Sequence, residues 1–283
     1  MKVAAVIAAY NEGENIGPLC RRLLATFRAM PAVHFGLIFV VEGDDGTEQI
    51  LRQLALDTRE ISILRPSEAA GLGAAFRIGF QAVPADVDLV VTMDADLNHS
   101  PEDIPRLVAA LESEGADIAI GSRLTPGGSS LGVPRWKLLL SGAMNLAIQY
   151  LFHAGVRDQT SGYRVYRAEV IRDLRYSNNG YAFLPELLTL ATARGYRSTE
   201  CPITFKYRRF GRSKMYILPT TVSYLRYLAG YWRHAFRAFV GAGRPAGNES
   251  RLARARPDRA LDPGSRAVHD LSESKGIPKG PGL

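Results

Sequence analysis

The sequence predicts an α/β fold: a doubly wound, mostly parallel sheet with flanking helices, followed by an amphipathic helix and a disordered tail. Three observations point there. Between residues 2 and 121, five short apolar runs alternate with segments whose apolar residues recur at helical spacing, the pattern of successive βα units. The 283 residues are 46% hydrophobic and 22% charged, which suits one large domain or one domain with an appendage. From Gly241 onward there is no Phe, Trp or Tyr, and twelve of those 43 residues are Gly or Pro. Such a stretch cannot bury enough apolar surface to offset the entropy of folding.

Taken in order, Lys2–Ala8 reads as the first strand. Glu14–Met30 reads as a helix, with Ile16, Leu19, Leu23, Leu24 and Phe27 on one face. Phe35–Val41 is a second strand and Thr47–Asp57 a helix, then Ile61–Leu64 a strand and Gly71–Ala82 a helix. Val87–Met93 is the fourth strand. Pro101–Ser113 is a helix with proline in its first turn and Ser100 as its cap. Ala116–Gly121 is the fifth strand. Beyond it Trp136–Phe152 reads as helical, Tyr163–Tyr166 as extended, Pro185–Ala193 as helical and Thr199–Phe205 as a strand. Ile217–Phe239 reads as a long helix interrupted near Pro219. The expected organisation is a folded domain over residues 1–215, an amphipathic helix over 216–240 and a disordered tail over 241–283.

Composition excludes several classes. Cys20 and Cys201 stand far apart and no C-x-x-C pair exists, so neither a disulfide scaffold nor a cysteine zinc site is expected. The chemistry suits a reducing cytosol. The apolar run Val3–Ala9 is too short for a signal peptide, and no 18-residue uncharged apolar run predicts a spanning helix. Charge is unevenly spread. Residues 1–203 carry 19 Lys/Arg against 23 Asp/Glu, whereas residues 204–240 carry eight Lys/Arg and no acid. A cationic segment on a mildly acidic body points to an anion: nucleic acid, anionic lipid or a phosphorylated ligand. The bland alternative is a solvated basic face.

The residues with the most chemistry follow the fourth strand, in Asp94-Ala95-Asp96-Leu97-Asn98. Alternation in an extended segment puts Asp94, Asp96 and Asn98 on one side. Two carboxylates and an amide oxygen are hard donors suited to Mg²⁺ or Mn²⁺. The competing reading is a polar loop in which Asp96 or Asn98 caps a helix. Position favours the metal, because α/β sheets bind ligands beyond the carboxyl ends of their strands. Gly71-Leu72-Gly73 is a weaker signal. It follows the third strand, and Phe76 stands at the last position of a G-x-G-x-x-G pattern, so a tight turn packing a helix start is expected, not a dinucleotide site.

Together these motifs resemble the inverting family-2 glycosyltransferases of the GT-A fold, specifically the dolichol-phosphate mannose synthase group. The resemblance spans about residues 3–215. It rests on Ala9-Tyr10-Asn11-Glu12-x-Glu14-Asn15, Asp45-Gly46-Thr47, Gly71-Leu72-Gly73-Ala74 and Met93-Asp94-Ala95-Asp96-Leu97-Asn98-His99-x-Pro101-Glu102. Gly121-Ser122-Arg123, Asp158-x-Thr160-Ser161-Gly162-Tyr163-Arg164 and Arg208-x-x-Gly211-x-Ser213-Lys214 complete it. The resemblance implies a nucleotide-diphosphate sugar donor, GDP-mannose, and a polyprenyl-phosphate acceptor. It places Ala8, Tyr10, Glu12, Val40 and Glu42 around the nucleoside. Asp94, Ala95 and Asp96 would contact the donor diphosphate and metal, with Asn98 completing the metal site. Arg123, Arg208 and Lys214 would meet the phosphates, so that Asp96, Arg123, Arg208 and Lys214 carry the catalytic roles.

Two alternatives stand beside this reading: a UDP-sugar-dependent transferase with another acceptor, and a nucleotide-sugar-binding regulator without turnover. A nucleic-acid partner is not expected, since it would leave the carboxylates at the strand end unexplained. Aromatic residues and arginines mix in 217–240, among them Tyr224, Trp232 and Phe236 with Arg226, Arg233 and Arg237. That mixture suits an interfacial helix on an anionic membrane surface, or else a terminal helix packed on the domain. The expected location is the cytoplasm, peripheral at the inner face of the membrane.

Overall fold

The computed structural model describes residues 1–67, 71–152, 155–207, 222–224 and 226. Their central feature is a seven-stranded sheet in the order β3-β2-β1-β4-β7-β5-β8. Its strands are β1 (Lys2–Tyr10), β2 (His34–Glu42), β3 (Ile61–Leu64), β4 (Leu89–Asp94), β5 (Ile118–Ser122), β7 (Arg164–Arg167) and β8 (Ser198–Pro202). Every neighbouring pair is parallel except those of β7, which runs antiparallel to both β4 and β5. The α/β class and the mostly parallel sheet are as the sequence predicts.

Alternation along β1 sorts its residues into two layers. Val3, Ala5, Ile7 and Ala9 join the core with Leu19, Leu23 and Phe27 of α1 (Gly13–Arg28) and Leu107 and Leu111 of α4 (Ile104–Ser113). Ala4 and Val6 face the other layer, with Phe76 of α3 (Leu72–Gln81) and Phe183 and Leu187 of α7 (Phe183–Ala193). A strand buried on both faces needs apolar residues at nearly every position, which is why the first strand reads as an unbroken apolar run and the fourth is interrupted only by Thr92, whose buried hydroxyl donates to the Gly162 carbonyl at 2.8 Å.

Chain order reverses between β1 and β4, the switch point of the sheet. Register converges there. Ala8 pairs with both Val40 and Asp94, and Tyr10 pairs with Glu42. Residues far apart in sequence therefore end on one edge. The glycine turn before α3 packs a helix start, as expected: the Gly73 N–H donates to the Asn179 carbonyl at 2.7 Å, and a Cβ at Gly73 would collide with the carbonyl of Asn178.

The second half departs from the sequence reading. The single strand expected over Thr199–Phe205 is two, β8 and β9 (Thr204–Lys206). Pro202 has no N–H to continue the ladder. Ile203 then donates to the Ser122 carbonyl at 3.0 Å and the chain leaves the sheet. β9 pairs in parallel with β6 (Ser129–Leu131) in a separate two-stranded sheet. Neither β6 nor α6 (Ala168–Asp173) was legible from periodicity, because three and six residues are too short to show one. The expected helix over Trp136–Phe152 is α5 (Arg135–Phe152), and the remaining helix, α2, spans Thr47–Leu56. Among the described residues no helix is long and apolar enough to cross a membrane. Of the expected helix over 216–240, only residues 222–224 and 226 are described, and they are helical. The tail 241–283 lies outside the described residues.

Candidate active site

The loops after β1 and β2 lock together. Asn11 adopts a left-handed conformation, φ 51°, that asparagine tolerates better than most residues. Its N–H donates to the Glu42 carbonyl at 3.1 Å and its Oδ1 accepts from the Asp44 N–H at 2.9 Å. Gly43 has φ 91°, and a Cβ there would collide with Asn11 Oδ1. Asp45 accepts from the Gly13 N–H at 2.8 Å and from the Thr47 hydroxyl at 2.5 Å, while Thr47 Oγ1 accepts from the Glu12 N–H at 2.8 Å. Asn15 Nδ2 holds the Glu12 carboxylate at 2.7 Å. Asn11, Asp45 and Thr47 thus build the edge. Of the residues expected around a nucleoside, Glu12 and Glu42 are buried in it, and Tyr10 is exposed beside Glu42. Ala8 lies between Val40 and Asp94, and the Val40 side chain is buried opposite Gly79 of α3.

At the end of β4 the strand alternation does not continue. Leu97 is left-handed, φ 59°, and turns the chain. The Asn98 N–H donates to Asp96 Oδ1 at 3.1 Å and Asn98 Nδ2 donates to Asp96 Oδ2 at 2.6 Å. Asp96 and Asn98 are therefore brought together by a tight turn, not by the extended segment that strand alternation predicts. Asn98 Oδ1 is buried and has no hydrogen-bond partner among the described residues. A buried acceptor left open next to a carboxylate fits a cation. The donor set of Asp94, Asp96 and Asn98 suits a hard ion that takes its other ligands from phosphate or water. Among the described residues no three His, Cys, Asp or Glu side chains cluster as a metal cage.

His99, next in the chain, packs against Tyr163, tilted to it with ring centroids 5.1 Å apart, and meets Phe205 edge-on at 5.3 Å. Burial, then the nearby charge of Arg123, lowers its pKa to about 3, so the ring is neutral at working pH.

Arg123, at the end of β5, is fixed by a carboxylate to which the sequence reading gave no role. Its Nε and Nη2 each donate to Asp158 at 2.7 Å, its backbone N–H donates to the same side chain at 3.0 Å, and Nη2 reaches Thr160 Oγ1 at 2.9 Å. The Asp158 side chain is 0% exposed and that of Arg123 18%. Burial opposes the Arg123 charge, but Asp158, Tyr224 and Asp94 together raise its pKa above the ordinary guanidinium value. Burial would likewise raise Asp158, yet Arg123 holds its carboxyl below the usual range. The Arg123 guanidinium also lies 5.5 Å from the Phe205 ring centroid. The loop is braced from behind. Asp158 N–H donates to Glu200 Oε1 at 3.0 Å, and Arg164, fully buried, donates to the carbonyls of Ser161, Gln159 and Leu184 at 2.7 to 2.9 Å. The signal for Asp158 was present, since it opens the block Asp158-x-Thr160-Ser161-Gly162. Its partner could only be found in three dimensions. Arg208 and Lys214 lie outside the described residues.

The model of glycosyl transferase family 2 matches residues 4–175, which include both the Asp94–Asn98 turn and the Asp158–Gly162 loop. The polyprenol monophosphomannose synthase of Mycolicibacterium smegmatis is 38% identical over 220 residues, 76% of this chain and 81% of that protein. The undecaprenyl-phosphate mannosyltransferase of Micrococcus luteus is 35% identical over 222 residues, 76% of this chain and 88% of that protein. Among solved structures, mannosyl-3-phosphoglycerate synthase from Rubrobacter xylanophilus is similar with a TM-score of 0.64 at 18% identity, covering 84% of this chain and 76% of that one. Glucosyl-3-phosphoglycerate synthase from Mycobacterium tuberculosis, in complex with Mn²⁺ and UDP-glucose, gives 0.60 at 18% identity, covering 81% and 77%. These likenesses bear on the fold, which is GT-A-like as the motifs implied. With the family model covering the switch-point edge and every strand of the sheet except β8, and relatives above 30% identity over three quarters of the sequence, the chain belongs to glycosyl transferase family 2.

Proposed function

We propose that the chain is an inverting mannosyltransferase that moves mannose from GDP-mannose to the phosphate of a polyprenyl or dolichyl lipid. The observation that carries this reading is the 38% identity, over 76% of the chain, to a protein named polyprenol monophosphomannose synthase. In this reading residues 1–215 are the catalytic domain, 216–240 an interfacial helix and 241–283 a disordered tail. The enzyme works peripherally on the cytoplasmic face of an anionic membrane.

Asp94, Asp96 and Asn98 would hold Mg²⁺ or Mn²⁺, with the open Asn98 Oδ1 as the supporting observation. Such an ion, when bound, offsets charge on the departing nucleoside diphosphate. The chain's own groups do the rest. Ala8, Tyr10, Glu12, Val40 and Glu42 form the nucleoside edge, and Ala95 backs the diphosphate. Arg123, Arg208 and Lys214 stabilise phosphate charge as the sugar carbon gains oxocarbenium character. A phosphate monoester is already anionic near neutral pH, so the acceptor needs cations and positioning in place of a general base. The acid-free stretch 204–240 supplies those cations. Attack opposite the leaving group inverts the anomeric carbon.

The test is transfer of labelled mannose from GDP-mannose into an organic-extractable lipid phosphate, run beside a thermal-shift panel of nucleotide sugars with and without Mn²⁺. Product formation with selective stabilisation by GDP-mannose is expected. Stabilisation by a UDP-sugar alone would replace the donor. Stabilisation without any product would make the chain a nucleotide-sugar-binding regulator.

A further inference from the structure

We infer that Asn145 of α5 is a positioning residue for Arg123: acting through Thr160, it fixes the guanidinium so that one nitrogen is left for a phosphate. The inference deepens the proposed function and rests on it only for the presence of a phosphate at Arg123. Asn145 stands inside an 18-residue helix and is 2% exposed. Asparagine is a poor helix former, and a buried amide is costly unless its polar atoms are bonded. In Asn145 both are. Oδ1 accepts from the Gln159 N–H at 2.8 Å. Nδ2 donates to the Ser141 carbonyl, one turn back, at 2.9 Å and to Thr160 Oγ1 at 3.2 Å.

These bonds can run in one direction only. A backbone N–H can only donate, so Gln159 fixes the amide with its oxygen toward that N–H and its NH₂ toward Thr160. Thr160 Oγ1 must then accept from Asn145. It accepts also from Arg123 Nη2 at 2.9 Å, a group that can only donate. The single hydroxyl hydrogen is left for Asp158 Oδ1, 3.3 Å away. A hydroxyl has one hydrogen and two lone pairs, and at Thr160 all three are engaged. Removing the Asn145 amide opens one lone pair and frees the hydroxyl to rotate off Arg123.

The Thr160 contact matters because of where it falls on the guanidinium. Asp158 grips one edge, through Nε and Nη2 at 2.7 Å each. Two parallel bonds leave a hinge about the line joining the carboxylate oxygens. Thr160 holds Nη2 from a third point and stops that hinge, while Phe205 lies against one face, its ring centroid 5.5 Å away. Nε and Nη2 are thereby committed. Nη1 has no hydrogen-bond partner among the described residues, and its two hydrogens are the pair left for phosphate oxygens. Asp158 supplies the charge that holds Arg123; Asn145 supplies the orientation.

The experiment reads Arg123 directly, in the full chain, by NMR of ¹⁵N-labelled guanidinium groups, with Arg123→Lys identifying the signal. In the wild type the Nη signals should be separate and exchange slowly. Signals averaged as in free arginine overturn the inference, whether or not any variant folds. Asn145→Ala and Thr160→Val should each speed the exchange about two- to ten-fold, the effect of one hydrogen bond, and Thr160→Ser, which keeps the hydroxyl, should restore the slow rate. An unchanged rate in Asn145→Ala overturns the inference. Isothermal titration with GDP and Mn²⁺, and separately with a short water-soluble isoprenyl phosphate, tells which phosphate Arg123 meets. Asn145→Ala should bind one of them about two- to ten-fold more weakly; no weakening of either overturns the inference. The double variant N145A/T160V should bind no more weakly than Thr160→Val alone, because both substitutions cut one link, and losses that add overturn it. None of these readings needs turnover, so a failed mannosyl transfer counts against the proposed function and leaves this link standing.

Discussion

Asp158→Asn isolates the pair on which the active-site cation depends. In the wild type the Asp158 carboxylate accepts from Arg123 Nε, Nη2 and backbone N–H. An amide of the same shape has one acceptor oxygen, so in either orientation its NH₂ points at a donor of Arg123. The charge of Arg123 then stays in a site where its partner is 0% exposed and it is itself only 18% exposed, without the carboxylate that held it bidentately. Removing one member of a buried ion pair costs about 3–5 kcal/mol. For a folded unit of about 200 residues each kcal/mol lowers Tm by about 2–4 °C, so a fall on the order of 10 °C is expected. Thermal unfolding followed by circular dichroism at neutral pH measures it. The pH dependence has a definite sign. Arg123 lowers the folded pKa of Asp158, so the pair's stabilisation is fully present above the unfolded value of about 3.9 and is lost as pH falls through the lower folded value. The gap between wild type and variant should be constant from neutral pH to about 5 and close below about 4. A Tm within about 2 °C of wild type at neutral pH would refute the claim that Asp158 carries Arg123.

Asp96→Ala should abolish mannosyl transfer and divalent-ion binding while the protein stays folded, its two hydrogen bonds from Asn98 contributing about 1–2 kcal/mol; full metal-dependent activity would remove Asp96 from the metal site. Gly73→Ala should destabilise by about 1–3 kcal/mol, because a Cβ meets the Asn178 carbonyl, and an unchanged Tm would show that the 178–180 loop yields freely. Arg208→Ala and Lys214→Ala should each lower transfer strongly without moving Tm, and wild-type kinetics in both would take them out of the phosphate site. Deleting residues 241–283 should leave both stability and transfer nearly unchanged; a large loss of Tm would show that the tail belongs to the fold.

Much of this protein is written in local pattern. Strands buried on both faces need apolar residues at nearly every position, so β1, β2 and β4 stand out as runs, and α1 and α4 follow from helical spacing. The Asp94-Ala95-Asp96 motif was legible because strand ends of α/β sheets are where ligands bind. Periodicity says nothing of strand order, and β7, antiparallel between β4 and β5, depends on pairings between segments more than forty residues apart. The split of Thr199–Phe205 at Pro202 and Ile203 arises because Ile203 finds its acceptor on Ser122, at the end of β5 and far back in the chain.

At the site the division is the same. The kinds of residue and their positions in the chain were determined by the sequence alone, because oxygen donors and basic groups carry their chemistry wherever they stand. Their juxtaposition was decided by tertiary structure. Leu97 turns Asp96 onto Asn98, register sets Ala8 between Val40 and Asp94, and Asp158 reaches Arg123 across 35 positions. Helix α5, with Trp136, Leu139, Leu146 and Tyr150 exposed, shows the same limit from the other side. Its spacing reads as an ordinary core helix, and only the packing of Asn145 and Ile148 decides which face the core takes, because a helix with apolar residues on both sides can bury either one.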